Sequence, residues 1–177
     1  MNIFFLSECP REAATMMCDK HVVKMILETC QLLSTAHNVL DGEGSGPYKT
    51  THVNHPCAVW ARETMANYRW LHDHLLALLD EYNYRYGRYH ACNPISVLLD
   101  ECPDNITLTT TLTLPPLCMP DGCKVGRNNL QAQALTIAEA ISSEVVLSYR
   151  NYYARDKAHL LKYTRRLAPL WIEDHGA

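Results

Sequence analysis

The chain has 177 residues, 47% of them hydrophobic and 20% charged, with a net charge of −3. That length and composition suit one globular domain able to bury a core without staples, and no run of about 18 apolar residues marks a membrane span. Duplex-DNA binders usually carry an excess of Lys and Arg, so any nucleic-acid site here has to be a local basic patch on a mildly acidic body.

In chain order, Met1 to Leu6 is apolar but soon meets Glu8 and Arg11. It lacks the basic start and long apolar core of a signal peptide, which gives the expectation of a cytoplasmic protein. Ile3 to Leu6 reads as a short buried strand or an extended lead-in. Pro10 suits the first turn of a helix running to Met17. Asp19 reads as the N-cap of a second helix, to Asn38. The three glycines of 41–47 mark a loop.

The third predicted helix spans Ala58 to Tyr86, with Asn54 or His55 as cap, Pro56 at its first position and Gly87 as its stop. Trp60, Thr64, Tyr68, Leu71, Leu75, Leu78, Leu79, Tyr82 and Tyr86 form its apolar stripe. At about 30 residues it would run roughly 45 Å and serve as the spine. Asn93-Pro94 starts a short helix to Glu101. Ile106, Leu108, Leu112 and Leu114 alternate with threonines, a strand signature closed by Pro115-Pro116. Pro120-Asp121-Gly122 reads as a turn, Asn129 to Ala154 as a helix and Lys157 to Arg165 as a last short one. Pro169 to Ile172 is then free to pack on the body. The expected fold is mainly α: a compact helical bundle over 1–177 around a long central helix, with at most a small β element.

The eight cysteines include no Cys-x-x-Cys pair. In a reducing compartment they are expected as free thiols, mostly small buried apolar residues. Cys18-x-x-His21 has workable zinc-ligand spacing, and His52, His55 and Cys57 form a second cluster. The His52-x-x-His55 pair is irregular for zinc, however, and no metal or cofactor is assigned.

Three clusters carry candidate chemistry. His21, Lys24, Glu28, Gln31 and Thr35 recur at three- and four-residue spacing on one face of the second helix. His21 and Glu28 lie two turns apart, roughly 10 Å, so both can face one cleft. A histidine, a lysine and a carboxylate together supply acid–base chemistry and a phosphate contact, although a solvated helix face has the same pattern. Lys49, His52 and Asn54 can touch phosphates at the start of the spine helix, with His55 as its cap. Finally, Tyr149, Tyr152 and Tyr153 interleave with Arg150, Arg155 and Lys157, followed by Lys162, Arg165 and Arg166. Rings stack on bases and cations hold phosphates, though Tyr149 and Tyr153, one turn apart, are equally suited to a core. No Walker loop, dinucleotide fingerprint or Gly-x-Ser-x-Gly elbow is present.

The segments Cys18-Asp-Lys-His-Val-Val-Lys-Met-Ile-Leu-Glu28, His52-Val-Asn-His-Pro56, Met119-Pro-Asp121 and Ser148-Tyr-Arg-Asn-Tyr-Tyr153 resemble a set found in tailed-bacteriophage proteins. More remotely, the layout resembles the pyrimidine-dimer DNA glycosylase family of the phage endonuclease V type. That family has an Asp-x-His followed by a glutamate seven residues on, matched by Asp19, His21 and Glu28. Its long central helix is matched by Ala58 to Tyr86, and its late aromatic-basic segment by Tyr149 to Tyr153. The resemblance covers about two thirds of the chain.

It implies a repair enzyme whose N-terminal amine, here of Met1 or Asn2, attacks the sugar C1′ and expels the base as an imine forms. β-Elimination then cuts the strand. Glu28 would stabilise the cationic intermediate with His21 beside it, while Lys24, Gln31, Lys49, His52, Asn54, His55, Arg62, Tyr149, Arg150, Tyr152, Tyr153 and Lys157 would bind substrate or phosphate. The sequence departs from the family at Asn2, where the family has threonine, at Leu27 and Gln31, where it has arginines, in its acidic charge and in extra sequence at 122–144.

The implied function is a DNA glycosylase and AP lyase acting on damaged or modified pyrimidines, in a phage-infected host's cytoplasm, with DNA or nucleotides as partners. Two other readings stay open. One is a transferase or hydrolase acting on nucleotides or modified bases in the same cleft. The other is a non-catalytic phage protein that blocks a host defence. The oligomeric state is not legible.

Overall fold

The computed structural model describes residues 1–125, 139 and 141–173, and its architecture is helical. The elements are α1 (Pro10–Met16), α2 (Asp19–Asp41), α3 (Pro56–Ala61), α4 (Met65–Tyr86), α5 (Asn93–Leu98), a π-helical turn over Ile141–Val146 that runs into α6 (Leu147–Asp156), and α7 (Leu170–Glu173). Single 3₁₀ turns lie at Asp121–Cys123 and Ala158–Leu160. Helix α4 packs on α1, α2, α3 and α5, so it is the centre of the bundle. Its Tyr68, Leu71, Leu75 and Leu78 are fully buried beside Val22, Ile26 and Leu33 of α2 and Phe5 and Leu6 of the lead-in. No described helix is long and apolar enough to cross a membrane.

The predicted spine is two helices rather than one. Thr64 adopts an extended backbone (φ −143°, ψ 156°) and its Oγ1 accepts the Asn67 N–H at 3.1 Å, a new N-cap. The apolar stripe hides the break, because Trp60, Thr64 and Tyr68 keep four-residue spacing straight through it. His55 caps α3, as read from sequence, by accepting the Cys57 N–H. Gly87 ends α4 in the left-handed region at φ 65°.

Among the described residues there is no strand. The threonine-rich segment 106–114 is irregular instead, and the reason is competition for its backbone. Thr107 and Thr109 give their carbonyls to the Met65 and Ala66 N–H groups, at 2.9 and 3.1 Å, which would otherwise be orphans of α4's first turn. Asn67 then ties Thr113 to the break from its carboxamide, donating to Thr113 Oγ1 and accepting from Thr113 N. Ile3 to Leu6, the other candidate strand, is buried but turns at Phe4 (φ 52°), where the Leu6 N–H meets the Phe4 carbonyl at 2.8 Å.

Three other boundaries differ from the sequence reading. Helix α2 continues to Asp41, with Cys18 as its N-cap. Asp19 does not cap it: its carboxylate accepts from Thr164 N and Oγ1 at 2.9 and 2.8 Å and from Arg85 at 3.0 Å. Helix α5 stops at Leu98, short of Glu101, and the predicted helix 157–165 is only the turn Ala158–Leu160. Of the predicted helix Asn129–Ala154, positions 129–138 and 140 lie outside the described residues. Its end is described, and α6 carries the late tyrosines as expected. The 41–47 loop is pinned rather than loose: Asn38 accepts from Gly44 N and Gly46 N, and a Cβ on Gly46 would sit 2.4 Å from the Ser34 carbonyl oxygen. All eight cysteines are free thiols, and five are buried.

Candidate functional site

Three distant stretches of chain converge on one cleft of about 490 Å³. The lead-in supplies Met1, Asn2 and Phe4; α2 supplies His21, Lys24, Met25 and Glu28; the end of α6 supplies Tyr152 and Lys157. His55, Pro56 and Cys118 close one side.

The α2 residues arrive together because of helical spacing, and their environments set them apart. His21 is buried and its Nδ1 lies 2.8 Å from the Tyr153 hydroxyl. That hydroxyl also accepts the Cys18 N–H at 2.8 Å, so Tyr153 ties the imidazole to the start of α2. Burial, helped by the nearby charges of Lys157 and Lys24, pulls the His21 pKa down to about 4, so the ring is uncharged at neutral pH. Glu28 is largely shielded, and its carboxylate meets Lys24 Nζ at 3.1 Å while Lys24 itself stays exposed.

The aromatic side of the cleft is built on Phe4. Its ring stacks on His21 at 4.3 Å and on Tyr152 at 6.0 Å, interplanar angles 21° and 14°. Lys157 sits 4.8 Å over the Tyr152 ring. The positive φ of Phe4 is a conformation a bulky residue rarely adopts. It is held by Asn2, whose Oδ1 accepts the Ile3 and Phe4 N–H groups and whose Nδ2 donates to the Cys118 carbonyl at 2.8 Å.

Local charge is the reverse of the whole. Lys24, Lys157 and the Met1 amine face a single carboxylate, Glu28, on a protein of net charge −3. Cys57 and Cys118 lie side by side, Sγ to Sγ 3.5 Å. The hydrogen bond from Cys57 brings the Cys118 thiol down to about 7, with further help from the chain's amine and Lys124. His55 is held below its usual range by burial, the chain's amine and His52, against the opposing pull of Glu28.

Of the residues singled out in the sequence, Met1, Asn2, His21, Lys24, Glu28, His55, Tyr152 and Lys157 line this cleft. The others stand elsewhere. Gln31 is half-buried further along α2, and Lys49, His52 and Asn54 are exposed on the loop before α3. Arg62 donates to the Val53 carbonyl at 2.8 Å. Tyr149 and Tyr153 are core residues, Tyr149 donating to the Pro116 carbonyl. Arg150 donates to the Leu6 carbonyl and lines a separate cleft with Glu8 and Glu12. Arg166 is consumed by a bidentate pair with Glu81.

The zinc set suggested by spacing, which joined Cys18 and His21 to the 52–57 cluster, does not converge. Among the described residues the three-ligand group that does is His55, Cys57 and Cys118. Phe4 and Cys118 were not legible as site residues. Phe4 lay in an apolar run that reads as strand, and Cys118's one signal was its place beside the Met119-Pro-Asp121 segment.

A family model described as pyrimidine dimer DNA glycosylase matches residues 1–93. That span holds the Met1, His21, Lys24, Glu28 and His55 side of the cleft and stops before Cys118, Tyr152 and Lys157. No curated protein and no solved structure matches the chain.

Proposed function

Since the chain belongs to the pyrimidine dimer DNA glycosylase family, we propose that it is a DNA glycosylase and AP lyase acting on damaged or modified pyrimidines, with the Met1–Glu28–Lys157 cleft as its active site. The observation that carries the reading is the meeting in one cleft of the chain's amine, a shielded carboxylate, a neutral histidine and two lysines. In the proposed sequence the amine nitrogen at the start of the chain bonds to C1′. The glycosidic C–N bond breaks, and the base leaves with the electron pair and takes up a proton. Ring opening gives the imine. Loss of a C2′ proton then expels the 3′ phosphate, and water releases the sugar fragment and regenerates the amine.

Glu28 carries a negative charge where the cationic imine develops, which is where fixed electrostatics act most strongly. It is also the carboxylate of the cleft lining, an acceptor for the protons that move. Neutral His21 presents its ring to the bound sugar and, being uncharged, does not repel the cation. Lys24 and Lys157 hold phosphates, and Phe4 and Tyr152 supply stacking area for a base drawn out of the helix.

The test is borohydride trapping on duplexes that are undamaged, abasic or carry a thymine dimer. A lesion-dependent covalent band is expected, lost on blocking the N-terminal amine and reduced at least about 10²-fold in rate by Glu28→Gln. Absence of a band on every substrate overturns the imine mechanism. The net charge of −3 favours one other substrate form, a free nucleotide or modified base in the same cleft. Saturable mononucleotide binding without salt-sensitive DNA binding would select it.

A further inference from the structure

The closed side of the cleft ends in sulfur and imidazole. His55 caps α3, and Cys57 follows in that helix's first turn. Cys118 comes from a separate segment, held from both directions: Asn2 donates to its carbonyl at 2.8 Å and its N–H reaches the Pro116 carbonyl at 3.1 Å. Tyr149 fixes the same Pro116 carbonyl at 2.6 Å. One ligand atom from each of His55, Cys57 and Cys118 lies within 4.8 Å of the other two.

We propose that His55, Cys57 and Cys118 form a binding site for a soft divalent cation of the zinc type, with its fourth position open to the cleft. The sulfur spacing is the strongest argument. Two thiolates on a tetrahedral zinc, at about 2.3 Å each, stand about 3.8 Å apart. The two sulfurs here stand 3.5 Å apart, so closure around a metal asks for a shift of a few tenths of an ångström. A thiolate–thiolate–imidazole set selects zinc-like metals over magnesium or calcium, which take oxygen ligands. His55 and Cys118 line the cleft while Cys57 is buried, so the protein supplies three ligands at the wall of an open cleft that could admit a fourth from solvent. Three protein ligands and one open position is the arrangement of reactive rather than purely structural zinc.

The site does not depend on the glycosylase reading, and its test uses no DNA. The full chain, kept reduced with a phosphine, is titrated with Co²⁺ and followed by absorption. The expected result is a sulfur-to-cobalt charge-transfer band with the strong visible bands of a tetrahedral site, saturating at one equivalent and discharged by Zn²⁺. Cys118→Ser, at a half-exposed position that a serine fills without repacking, is expected to abolish the charge-transfer band or weaken binding at least tenfold. Cys92→Ser, remote from the cluster, is expected to leave it intact. His55→Gln is expected to shift the visible bands. If the wild type shows no band at one equivalent, or if Cys118→Ser binds Co²⁺ as the wild type does, the proposal is wrong. Neither result touches the imine-trapping outcome.

Discussion

Two groups of charged side chains sit on opposite sides of α2's first turns. On the Asp19 side, Arg85 is entirely buried and its donors are spoken for: Glu81 at 2.6 Å, Asp19 at 3.0 Å and the Thr15 carbonyl at 3.1 Å. Glu81 in turn takes a bidentate Arg166, and Asp19 takes Thr164, so 164–166 are strapped to α2 and α4. On the His21 side, Lys24 meets Glu28 while standing 69% exposed, and Lys157 leans on a ring rather than on an acid. The first group has its hydrogen-bonding capacity used up internally. The second lines an open cleft, with one lysine in an exposed pair and the other against an aromatic ring. The motif Asp19-x-His21 therefore spans both, and its two polar members do different work: Asp19 fastens, His21 faces the cleft.

The sharpest way to break this contrast is Arg85→Met. It removes the buried cation that Glu81 and Asp19 share, leaving them Arg166 and Thr164, and is expected to cost about 3–5 kcal/mol in urea unfolding. A loss under 1 kcal/mol would mean that the strap is not structural. Acid comes next. The His21 and His74 pKa values are both lowered by burial to about 4, below the ordinary 6.5, so the unfolded chain binds more protons between those limits. Stability is fully present above about pH 6.5 and falls as pH drops toward 4, by roughly 3 kcal/mol per histidine over the window. Urea midpoints at pH 7 and 4.5 measure it, and His74→Gln is expected to remove about half of the slope. On the cleft side the effects move from stability to binding. Tyr152→Ala is expected to weaken single-stranded or lesion DNA binding by about 1–3 kcal/mol, read by fluorescence anisotropy, with a much smaller change in melting. The smallest effect belongs to Lys24→Met, about 0.5 kcal/mol in stability for an exposed i,i+4 pair. Its DNA affinity is expected to lose salt dependence by close to one ion.

Much of this was legible in the sequence, and for local reasons. Pro10, the His55 cap with Pro56, and Gly87 place helix ends through single-residue chemistry, and the His21–Lys24–Glu28 face follows from helical spacing alone. What failed was non-local. Nothing near Thr64 says that the carbonyls of Thr107 and Thr109 will be there to satisfy α4's first turn, so the spine reads as unbroken and the threonine segment as a strand. Tyr149, Tyr152 and Tyr153 are chemically alike in sequence. Which of them is core and which faces the cleft was decided by partners 33 to 135 residues away: Pro116 for Tyr149 and Cys18 for Tyr153. Cys118, 61 positions further along the chain, becomes a neighbour of Cys57 only once the stretch between them has folded back.

The Tyr153 hydroxyl, which holds both the N-cap of α2 and the His21 ring, sets a schedule for the nascent chain. The stretch matching the family model ends at residue 93, yet its histidine gains its partner only when residue 153 has been made. At about 5–20 residues per second, several seconds of translation separate the two halves of the cleft. During that interval the emerging chain carries an amine, a lysine and a carboxylate without the tyrosine that orients the imidazole or the lysine that closes the far wall. The cleft is therefore complete only once residue 157 has been made, more than 60 residues after the family-matching stretch has ended.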